Sequence, residues 1–446
     1  MRRPSCAAAA RCGDRAVRRH SVPARRCRIA STPVRDANED ARVSPPRTKA
    51  PLTRRAGGAL AALATCAFVI GSTEFVVPGL LPEIGAGVHA SLTSAGSLVS
   101  GYALGVVVGA PLVTAVVVRW PRKPVLLGLL TLSVAGNLLS AAAGGYGVLM
   151  GGRIVASLCH GAFFGVASVV AAELVSPERQ ARAIAAMFMG ITLANLVGVP
   201  LGVLLGQRLG WRSTFLAIAA LGVVSIVAVA RFVPPTGVGH RRSLRVELDA
   251  FTRPQVWLAL AMTSFGFGAV YCPLTYVVPL MTSTAGYSRS SVSWLLALFG
   301  AGFTVGNVVG AWAADKNLML TVRLALLGSF LALLVFVDAS HNKAGAAATL
   351  FVVGMFAYAT VPGFTARVID MAGSAGNTLA SAAVVSAFNL GNAAGAYLGG
   401  IALTIGHGPA DTSVAGAGMA LVGLGIAVVA TRLERHASLA VPTGSP

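Results

Sequence analysis

The chain has 446 residues, of which 55% are hydrophobic and only 11% are charged. Soluble proteins carry roughly 25% charged residues, so this chain has too little charge to cover a water-soluble globule, and it is too apolar to be disordered. A mean hydropathy of +0.75 instead points to a polytopic membrane protein. The net charge of +20 does not indicate nucleic-acid binding, because residues 1–55 alone carry +11 and the other charges lie almost entirely between apolar runs.

Residues 1–55 form the first predicted region, a disordered basic leader. The segment is rich in Arg, Ala, Ser and Pro and lacks apolar periodicity, so it buries too little apolar surface to fold. It has four interpretations: a transit peptide, a nucleic-acid arm, a contact with anionic lipid, or an upstream extension from an over-called start codon. Its prolines count against an amphipathic transit helix.

Twelve apolar runs follow, each close to the roughly 20 residues that a helix needs to cross a bilayer. Six lie in the first half, at 57–81, 93–118, 124–143, 147–172, 182–206 and 212–232, and six in the second, at 255–281, 291–313, 319–339, 345–367, 377–405 and 411–431. The expected fold is therefore an all-α polytopic membrane protein with twelve transmembrane helices in two pseudo-symmetric six-helix bundles. The predicted domains are an N-terminal bundle at 56–232, a cytoplasmic linker at 233–254, a C-terminal bundle at 255–432 and a tail at 433–446.

The basic residues predict the orientation of these spans. With a cytoplasmic N-terminus, 15 Lys and Arg after residue 55 fall on the inside and 4 on the outside. Cytoplasmic loops are the ones enriched in Lys and Arg. We therefore expect a multi-pass protein of the cell membrane with both termini in the cytoplasm.

A shift of 197 residues aligns the two halves without a gap. It pairs Pro82 with Pro279, Arg119 with Lys316 and Asn195 with Asn392, as well as several glycines. Paired spans cross the membrane in the same direction, so the halves are predicted to be parallel repeats related by an axis along the membrane normal. That arrangement places a central site between the two bundles.

Glu74 and Arg153 are the acid and the base that lie deep within predicted spans, away from their ends. Ionisable side chains are costly in hydrocarbon and usually face a cavity where they serve function. The alternatives are a structural polar contact for Glu74 and snorkelling of Arg153 to the interface. His160 follows Arg153 by seven residues on the same helical face; it could titrate near neutral pH or be merely hydrogen-bonded.

Small residues recur along the fifth run, where Gly198, Pro200 and Gly202 follow Asn195. Such a face favours close packing of helices. Asn195 could make a structural hydrogen bond or contact a ligand. Aromatic residues in runs four, seven and ten either pack in the core or line a pocket for an amphiphile; they are Phe163, Phe164, Phe265, Phe267, Tyr271, Tyr276 and Tyr358.

Four motifs carry a family resemblance over about residues 56–432. They are GSTEF with GLLPE at 71–83, RWPRK at 119–123, Arg153 with HGAFFG at 160–165, and NLVGVPLG with GWR at 195–212. With these motifs the chain resembles the major facilitator superfamily, and within it the twelve-span drug/proton antiporter branch with its chloramphenicol-resistance and arabinose-type sugar-efflux members.

The resemblance implies roles for particular residues. Arg153 would serve proton coupling, and spans one, four, seven and ten would line a central cavity. Counted at about 1.5 Å per residue, Glu74 and Arg153 fall at nearly the same depth, so we expect them to approach each other directly or through water or substrate. The stretch with Asn195, Gly198, Pro200 and Gly202 would be an antiporter-like motif at the bundle interface.

The resemblance also implies a cytoplasmic loop motif that biases the transport cycle. Its residues are Arg119, Arg122 and Lys123 in the first copy and Asp315 and Lys316 in the second. The chain departs from the family here, because Val118 occupies the acidic position that Asp315 fills in the second copy. The antiporter-like motif departs too, since its Gly-Pro pair is split by Val199.

Together these features predict a secondary transporter, most specifically proton-coupled efflux of a small hydrophobic or amphiphilic compound, with sugar efflux as the alternative. A membrane-embedded enzyme or receptor is the competing class. The sequence contains no GxxxxGK[ST] loop, which argues against direct ATP drive. We expect no enzymatic activity, no metal and no cofactor, with the proton gradient as energy source. The expected partners are the lipid bilayer and a small-molecule substrate, without nucleic acid, and the protein is expected to be a monomer.

Overall fold

The computed structural model describes residues 54–117, 119–235, 249–372, 377–406 and 408–440. The predicted leader therefore lies almost wholly outside the described residues, as do Val118, most of the predicted linker and the end of the tail. The described residues form helices and no strand, which confirms the all-α expectation.

Eleven helices of the described part are long and apolar enough to cross a membrane. Six precede the linker: α1 (Arg54–Phe75), α2 (Leu92–Val117), α3 (Arg122–Ala141), α4 (Tyr146–Glu173), α5 (Pro177–Leu209) and α6 (Trp211–Phe232). The seventh predicted span begins as the shorter α7 (Pro254–Gly268). It is followed by α8 (Val292–Lys316), α9 (Leu318–Ala339), α10 (Lys343–Ala372), α11 (Asn377–Ile405) and α12 (Asp411–Ala440).

The first predicted span is not one continuous helix. After α1 ends at Phe75, the chain continues as a 3₁₀ turn at Val77–Leu80 and a short helix at Leu81–Gly87. Proline lacks the N–H that a helix needs and clashes with the carbonyl four residues earlier. Pro78 therefore interrupts the helix opposite the carbonyl of Glu74.

The seventh predicted span is broken in the same way. Short helices at Tyr271–Thr275 and Val277–Pro279 follow α7, and a π-helical turn at Leu280–Thr284 follows them. Pro273 and Pro279 explain these breaks, because each removes a helical hydrogen bond to a carbonyl four residues before it. Hydropathy alone predicts one run here, whereas the backbone makes several pieces.

Helix neighbours repeat between the two halves. In the first half α1 packs on α5 and α6, α3 on α4 and α6, and α2 on α4; in the second half α7 packs on α11 and α12, α9 on α10 and α12, and α8 on α10. Between the halves, α2 packs on α11 and α8 packs on α5. The predicted shift exchanges these two cross-pairs, so the halves are parallel repeats.

Close approaches between helices follow the same shift of 197 residues. A Cβ added to Gly71 would lie 3.1 Å from the Cβ of Ala194, and one on Gly268 would overlap the backbone of Gly391. Gly268 and Gly391 are the positions that the shift assigns to Gly71 and Ala194. The repeat is therefore present in the packing as well as in the sequence. The exact domain boundaries stay predictions.

Candidate functional site

Glu74 lies near the end of α1, directly before the proline-induced break. Its side chain is about 10% exposed. Oε1 accepts hydrogen bonds from the hydroxyl of Tyr271 at 3.4 Å and from Nδ2 of Asn392 at 3.3 Å. Both donors belong to the second half of the chain, so one carboxylate of the first bundle is bound by two elements of the second.

His160 borders the other oxygen of this carboxylate. Its Nδ1 lies 3.8 Å from Oε2 of Glu74 and 3.2 Å from the hydroxyl of Tyr102. Which partner donates in the Tyr102 contact depends on the histidine tautomer. His160 of α4 thus lies at the site, as expected. It is the first residue after Cys159, where one segment of α4 ends and the next begins.

Arg153 is buried, with 1% of its surface exposed. Nη1 donates to the backbone carbonyl of Thr73 at 2.5 Å, and the guanidinium lies 4.2 Å from the ring centre of Tyr102. A cation over an aromatic ring is stabilised by about 0.5–2 kcal/mol, more when it is desolvated. The side chain therefore packs inside the bundle, and the snorkelling alternative is wrong.

Glu74 and Arg153 are neighbours through the backbone rather than through a direct ion pair. Among the ion pairs of the described residues, none joins Glu74 to Arg153 within 4.0 Å. Arg153 instead holds the carbonyl of Thr73, the residue that precedes Glu74. Its Nε and Nη2 have no hydrogen-bond partner in the described part of the chain. Two buried donors are thus available to an acceptor that enters the site.

Sequence reasoning missed a polar pair that supports this region. Asn137 of α3 donates from Nδ2 to the hydroxyl of Thr73 at 3.2 Å and to the carbonyl of Ser133 at 2.9 Å. The Thr73 hydroxyl also donates to the carbonyl of Val69 at 2.9 Å. Such bonds fix the last turn of α1, on whose backbone Arg153 rests. An amide in the middle of an apolar run was the signal available for Asn137.

The aromatic residues of the second bundle form one wall beside the carboxylate. Tyr358 lies against Phe303 and Phe267, with ring centres 3.7 and 5.0 Å apart, and Phe267 also contacts Tyr271 at 6.1 Å. The Tyr358 hydroxyl is buried without a hydrogen-bond partner among the described residues. Not all predicted aromatic residues join this wall: Phe265 is 39% exposed, and Tyr276 donates to the carbonyl of Ala396 at 3.3 Å.

The antiporter-like motif lies where α5 meets α1 and α8. Its backbone contains a π-helical turn at Ala194–Gly198, which accommodates Pro200 one turn later. A Cβ on Gly198 would lie 2.6 Å from Oγ of Ser72, and one on Gly202 would lie 3.0 Å from Val76. These glycines therefore allow α5 to approach α1 closely.

Asn195 and its repeat partner Asn392 have different partners. Asn195 donates to the carbonyl of Ile191 in its own helix at 3.1 Å, whereas Asn392 reaches Glu74. Asn195 also lines a narrow cavity between α1, the broken seventh span, α5 and α8, with Phe75, Val199, Leu274, Leu296 and Phe299. The two asparagines share a repeat position but not a chemical role.

The loop motif is remote from this site, at the end of the bundle where α2 gives way to α3. Arg122 forms an ion pair with Glu173 of α4, and Lys123 donates to the carbonyl of Ala230 at 2.7 Å. Lys316 lies over the ring of Trp312 at 3.6 Å. Arg119 and Asp315 are exposed. We call this end of the bundle the basic end and the opposite end, at Gly87 and Gly210, the distal end.

The chain is similar to curated membrane transport proteins over most of its length. The inner membrane transport protein YdhP of Escherichia coli (strain K12) is 43% identical over 366 residues, covering 81% of this chain and 94% of YdhP. A chloramphenicol resistance protein of Streptomyces lividans is 35% identical over 357 residues, covering 78% and 88%. AraJ of Escherichia coli (strain K12) is also 35% identical, over 350 residues, covering 77% and 87%.

A solved structure shares the fold at low sequence identity. It is a bacterial homologue of the human lysosomal transporter Spinster in an inward-facing and unoccupied conformation, with a TM-score of 0.64 and 14% identity, covering 85% of this chain and 96% of that one. The family model of the Major Facilitator Superfamily matches residues 63–396. The parallel repeats, the paired bundles and these similarities together show that the chain belongs to the Major Facilitator Superfamily of membrane transporters.

Proposed function

We propose that this transporter couples efflux of a small hydrophobic or amphiphilic compound to proton entry by alternating access. One observation carries the proposal: the largely buried carboxylate of Glu74 lies between the two bundles, where it accepts hydrogen bonds from Tyr271 and Asn392 of the second and lies 3.8 Å from His160 of the first. Burial disfavours the charged form of a carboxylate, whereas hydrogen-bond donors favour it. A change in hydration between conformations would therefore change how readily Glu74 holds a proton.

Arg153 and His160 fit a supporting part in that exchange. Arg153 is fixed on the backbone next to Glu74, so its positive charge is present in both protonation states of the carboxylate. His160 is a titratable neighbour from the same bundle, with Nδ1 3.8 Å from Oε2 of Glu74. We propose that Glu74 is the proton carrier, that Arg153 stabilises its ionised form, and that His160 adjusts the local hydrogen bonds.

The lining of the site favours a substrate with an aromatic or aliphatic body and a few polar groups. Phe267, Phe303 and Tyr358 supply apolar surface. The buried polar atoms without partners among the described residues include two donors of Arg153 and Oδ1 of Asn392. Buried polar groups need hydrogen bonds, so a substrate with both an acceptor and a donor would satisfy them. The name of the chloramphenicol resistance relative is consistent with such a compound.

Sugar efflux remains the alternative, because polar side chains cluster on α11. Asn389 and Asn392 are spaced to lie on one helical face, and each has an Oδ1 without a partner in the described part of the chain. Amide oxygens of this kind suit sugar hydroxyls. Against this alternative, the surrounding surface is mainly apolar, whereas sugar sites use many polar partners.

We further propose that the protein works as a monomer in the cell membrane, with both termini and the basic end in the cytoplasm. The proton gradient, and no cofactor or metal, would drive it. The loop motif at the basic end, with Arg119, Arg122, Lys123, Asp315 and Lys316, would bias the cycle between its two access states. The motif at Asn195, Gly198, Pro200 and Gly202 would be a pivot between bundles.

The test is transport by the purified full-length chain in proteoliposomes under an imposed pH gradient. A panel of drugs and sugars is measured for gradient-driven movement with and without an uncoupler, and the same panel is tested for resistance in a pump-deleted host. We expect uncoupler-sensitive movement of apolar or amphiphilic compounds. Movement of sugars alone would favour the alternative. Conversion of a lipid without any solute movement would favour a membrane enzyme.

A further inference from the structure

The carboxylate of Glu74 contacts its own counterpart in the other half of the chain. Tyr271 follows Glu74 by 197 residues, which is the shift of the internal repeat. A residue that touches its own repeat partner must lie close to the axis that relates the two bundles. Asn392, the second donor, is the repeat partner of Asn195 and comes from α11. Both donors thus reach the acid from across the axis.

Among the described residues, the other side-chain hydrogen bonds between the bundles end on groups that do not titrate. Ser100 donates to the carbonyl of Ala393 at 3.0 Å, and Ser386 to that of Val107 at 3.3 Å. At the distal end, Gln207 donates to the carbonyl of Arg289 at 2.9 Å. These bonds are the same at every pH. The bonds from Tyr271 and Asn392 to Glu74 differ, because their acceptor gains or loses a charge.

We propose that Tyr271 and Asn392 are the residues through which the second bundle responds to the protonation state of Glu74. The proposal rests on the proposed function, in which Glu74 is the proton carrier. An ionised carboxylate accepts hydrogen bonds about twice as strong as a neutral one does. Deprotonated Glu74 therefore holds the two bundles together in the arrangement seen here, and a proton on Glu74 weakens both bonds and frees the second bundle to move.

The other residues that face the carboxylate of Glu74 agree with this role for Tyr271 and Asn392. From α4, His160 and Arg153 face it, and from α2, Tyr102 does. All three belong to the first bundle, so they act on Glu74 without forming a bond across the axis. From the second bundle, Tyr358 of α10 faces it along with the two donors. Its hydroxyl makes no hydrogen bond among the described residues.

The experiment measures the distance between the bundles as a function of pH, without any substrate. Exposed residues Arg208 and Ser290 flank the distal contact between Gln207 and Arg289. Spin labels on Arg208→Cys and Ser290→Cys, in the full chain with its other cysteines replaced, report opening of this end by pulsed electron resonance in nanodiscs. Distance distributions are recorded from pH 5.5 to pH 8.5.

Tyr271→Phe and Asn392→Leu are compared with a matched control, Ser100→Ala, which removes a hydrogen bond across the axis to the backbone carbonyl of Ala393. We expect the parent protein to populate the distal-closed form more at high pH. Tyr271→Phe and Asn392→Leu should each lower that population at high pH at least threefold and flatten its pH dependence. Ser100→Ala should keep the parent pH dependence, because its carbonyl acceptor does not titrate. In a Glu74→Gln background, Tyr271→Phe should cause no further change in the pH dependence of the distal-closed population.

The outcomes separate this proposal from the proposed function. If Tyr271→Phe and Asn392→Leu keep the parent pH profile while Glu74→Gln loses it, the two donors are not the link and the proposal is wrong, although Glu74 keeps its role. If the donor variants flatten the profile but the parent moves no solute under a pH gradient, the link stands and the proposed transport activity falls. Monodisperse elution of each variant is the check that it is folded.

Discussion

The two bundles share a backbone plan but differ at the central positions. The first carries Glu74, Arg153 and His160, and the shift of 197 residues assigns to them Tyr271, Leu350 and Ala357 in the second. None of these three counterparts carries a charge at neutral pH. The first bundle therefore holds the charge of the site, while the second presents hydroxyl, amide and aromatic groups to it.

The space around Leu350 shows how far this difference extends. In the first bundle, Arg153 contacts the carbonyl of Thr73 and the ring of Tyr102. In the second, Leu350 lines an apolar cleft together with Val270 and Phe299, which are the repeat partners of Thr73 and Tyr102. The same framework thus holds a guanidinium in one half and only apolar side chains in the other. Repeats of one architecture can carry unequal chemistry.

The largest expected effect comes from removing the charge of the first bundle's carboxylate. Glu74→Gln should abolish gradient-driven efflux while leaving the protein folded, because glutamine keeps the size of the side chain but cannot carry a proton. Proteoliposome transport under a pH gradient measures this. Asp338→Asn, at an exposed position, is the control and should transport normally. Full proton-coupled transport by Glu74→Gln would remove this carboxylate from the mechanism.

Arg153→Ala should reduce gradient-driven efflux to less than about a tenth, because it removes the fixed charge next to Glu74 and a cation–aromatic contact whose loss alone costs on the order of 1–2 kcal/mol. Arg153→Lys should retain more activity if charge alone matters, although lysine lacks the planar fork of donors. Transport assays of both variants measure this.

The matched control for Arg153→Ala is Leu350→Met, at the repeat position in the second bundle. This substitution conserves volume and usually costs less than about 1.5 kcal/mol. Efflux by that variant should stay within about twofold of the parent. Equal losses at positions 153 and 350 would mean that packing, rather than charge, makes Arg153 important.

Packing between helices should also differ between the halves. Gly268→Ala would place a methyl group into the backbone of Gly391, whereas the tightest contact of Gly71→Ala would be with the methyl of Ala194 at 3.1 Å. Overpacking costs about 1–3 kcal/mol, and backbone yields less readily than a side chain. Thermal unfolding in detergent should show a clearly larger loss for Gly268→Ala. Equal loss in both variants would argue against a tighter α7–α11 contact.

A smaller effect is expected from Tyr102→Phe. This variant keeps the ring under Arg153 but loses the hydroxyl contact with His160 at 3.2 Å, a bond worth about 0.5–1.5 kcal/mol. Efflux should fall by a few-fold rather than vanish. Tyr146→Phe, which loses a hydroxyl contact with Ser97 near the start of α4, is the control. An unchanged rate for Tyr102→Phe would indicate that His160 is held by other contacts.

Much of this architecture was predictable from the sequence, for physical reasons. Hydropathy locates spans because bilayer thickness sets their length, and the repeat follows from one shift. The cost of charge in hydrocarbon singled out Glu74 and Arg153, and Arg153 indeed packs against the residue before Glu74. Their joint function stays a prediction.

The remaining features depend on information that hydropathy does not hold. A window average does not register the breaks at Pro78 and Pro273, or the π-helical turn before Pro200. The partners of Asn392 and Tyr271 depend on how the bundles dock, which no single span determines. Repeat symmetry even suggests equal roles for Asn195 and Asn392. In the docked bundles, however, Asn392 donates to Glu74, whereas Asn195 donates to a carbonyl of its own helix.

The contact between Glu74 and Tyr271 has a consequence for how such a protein can descend from a gene duplication. Two identical halves would place a second acid at position 271, so that two carboxylates would face each other where a carboxylate and a hydroxyl now lie 3.4 Å apart. Like charges at that distance cannot both be ionised. A duplicated pair that met in this register could ionise only one of its two acids easily, and the tyrosine at position 271 avoids that conflict.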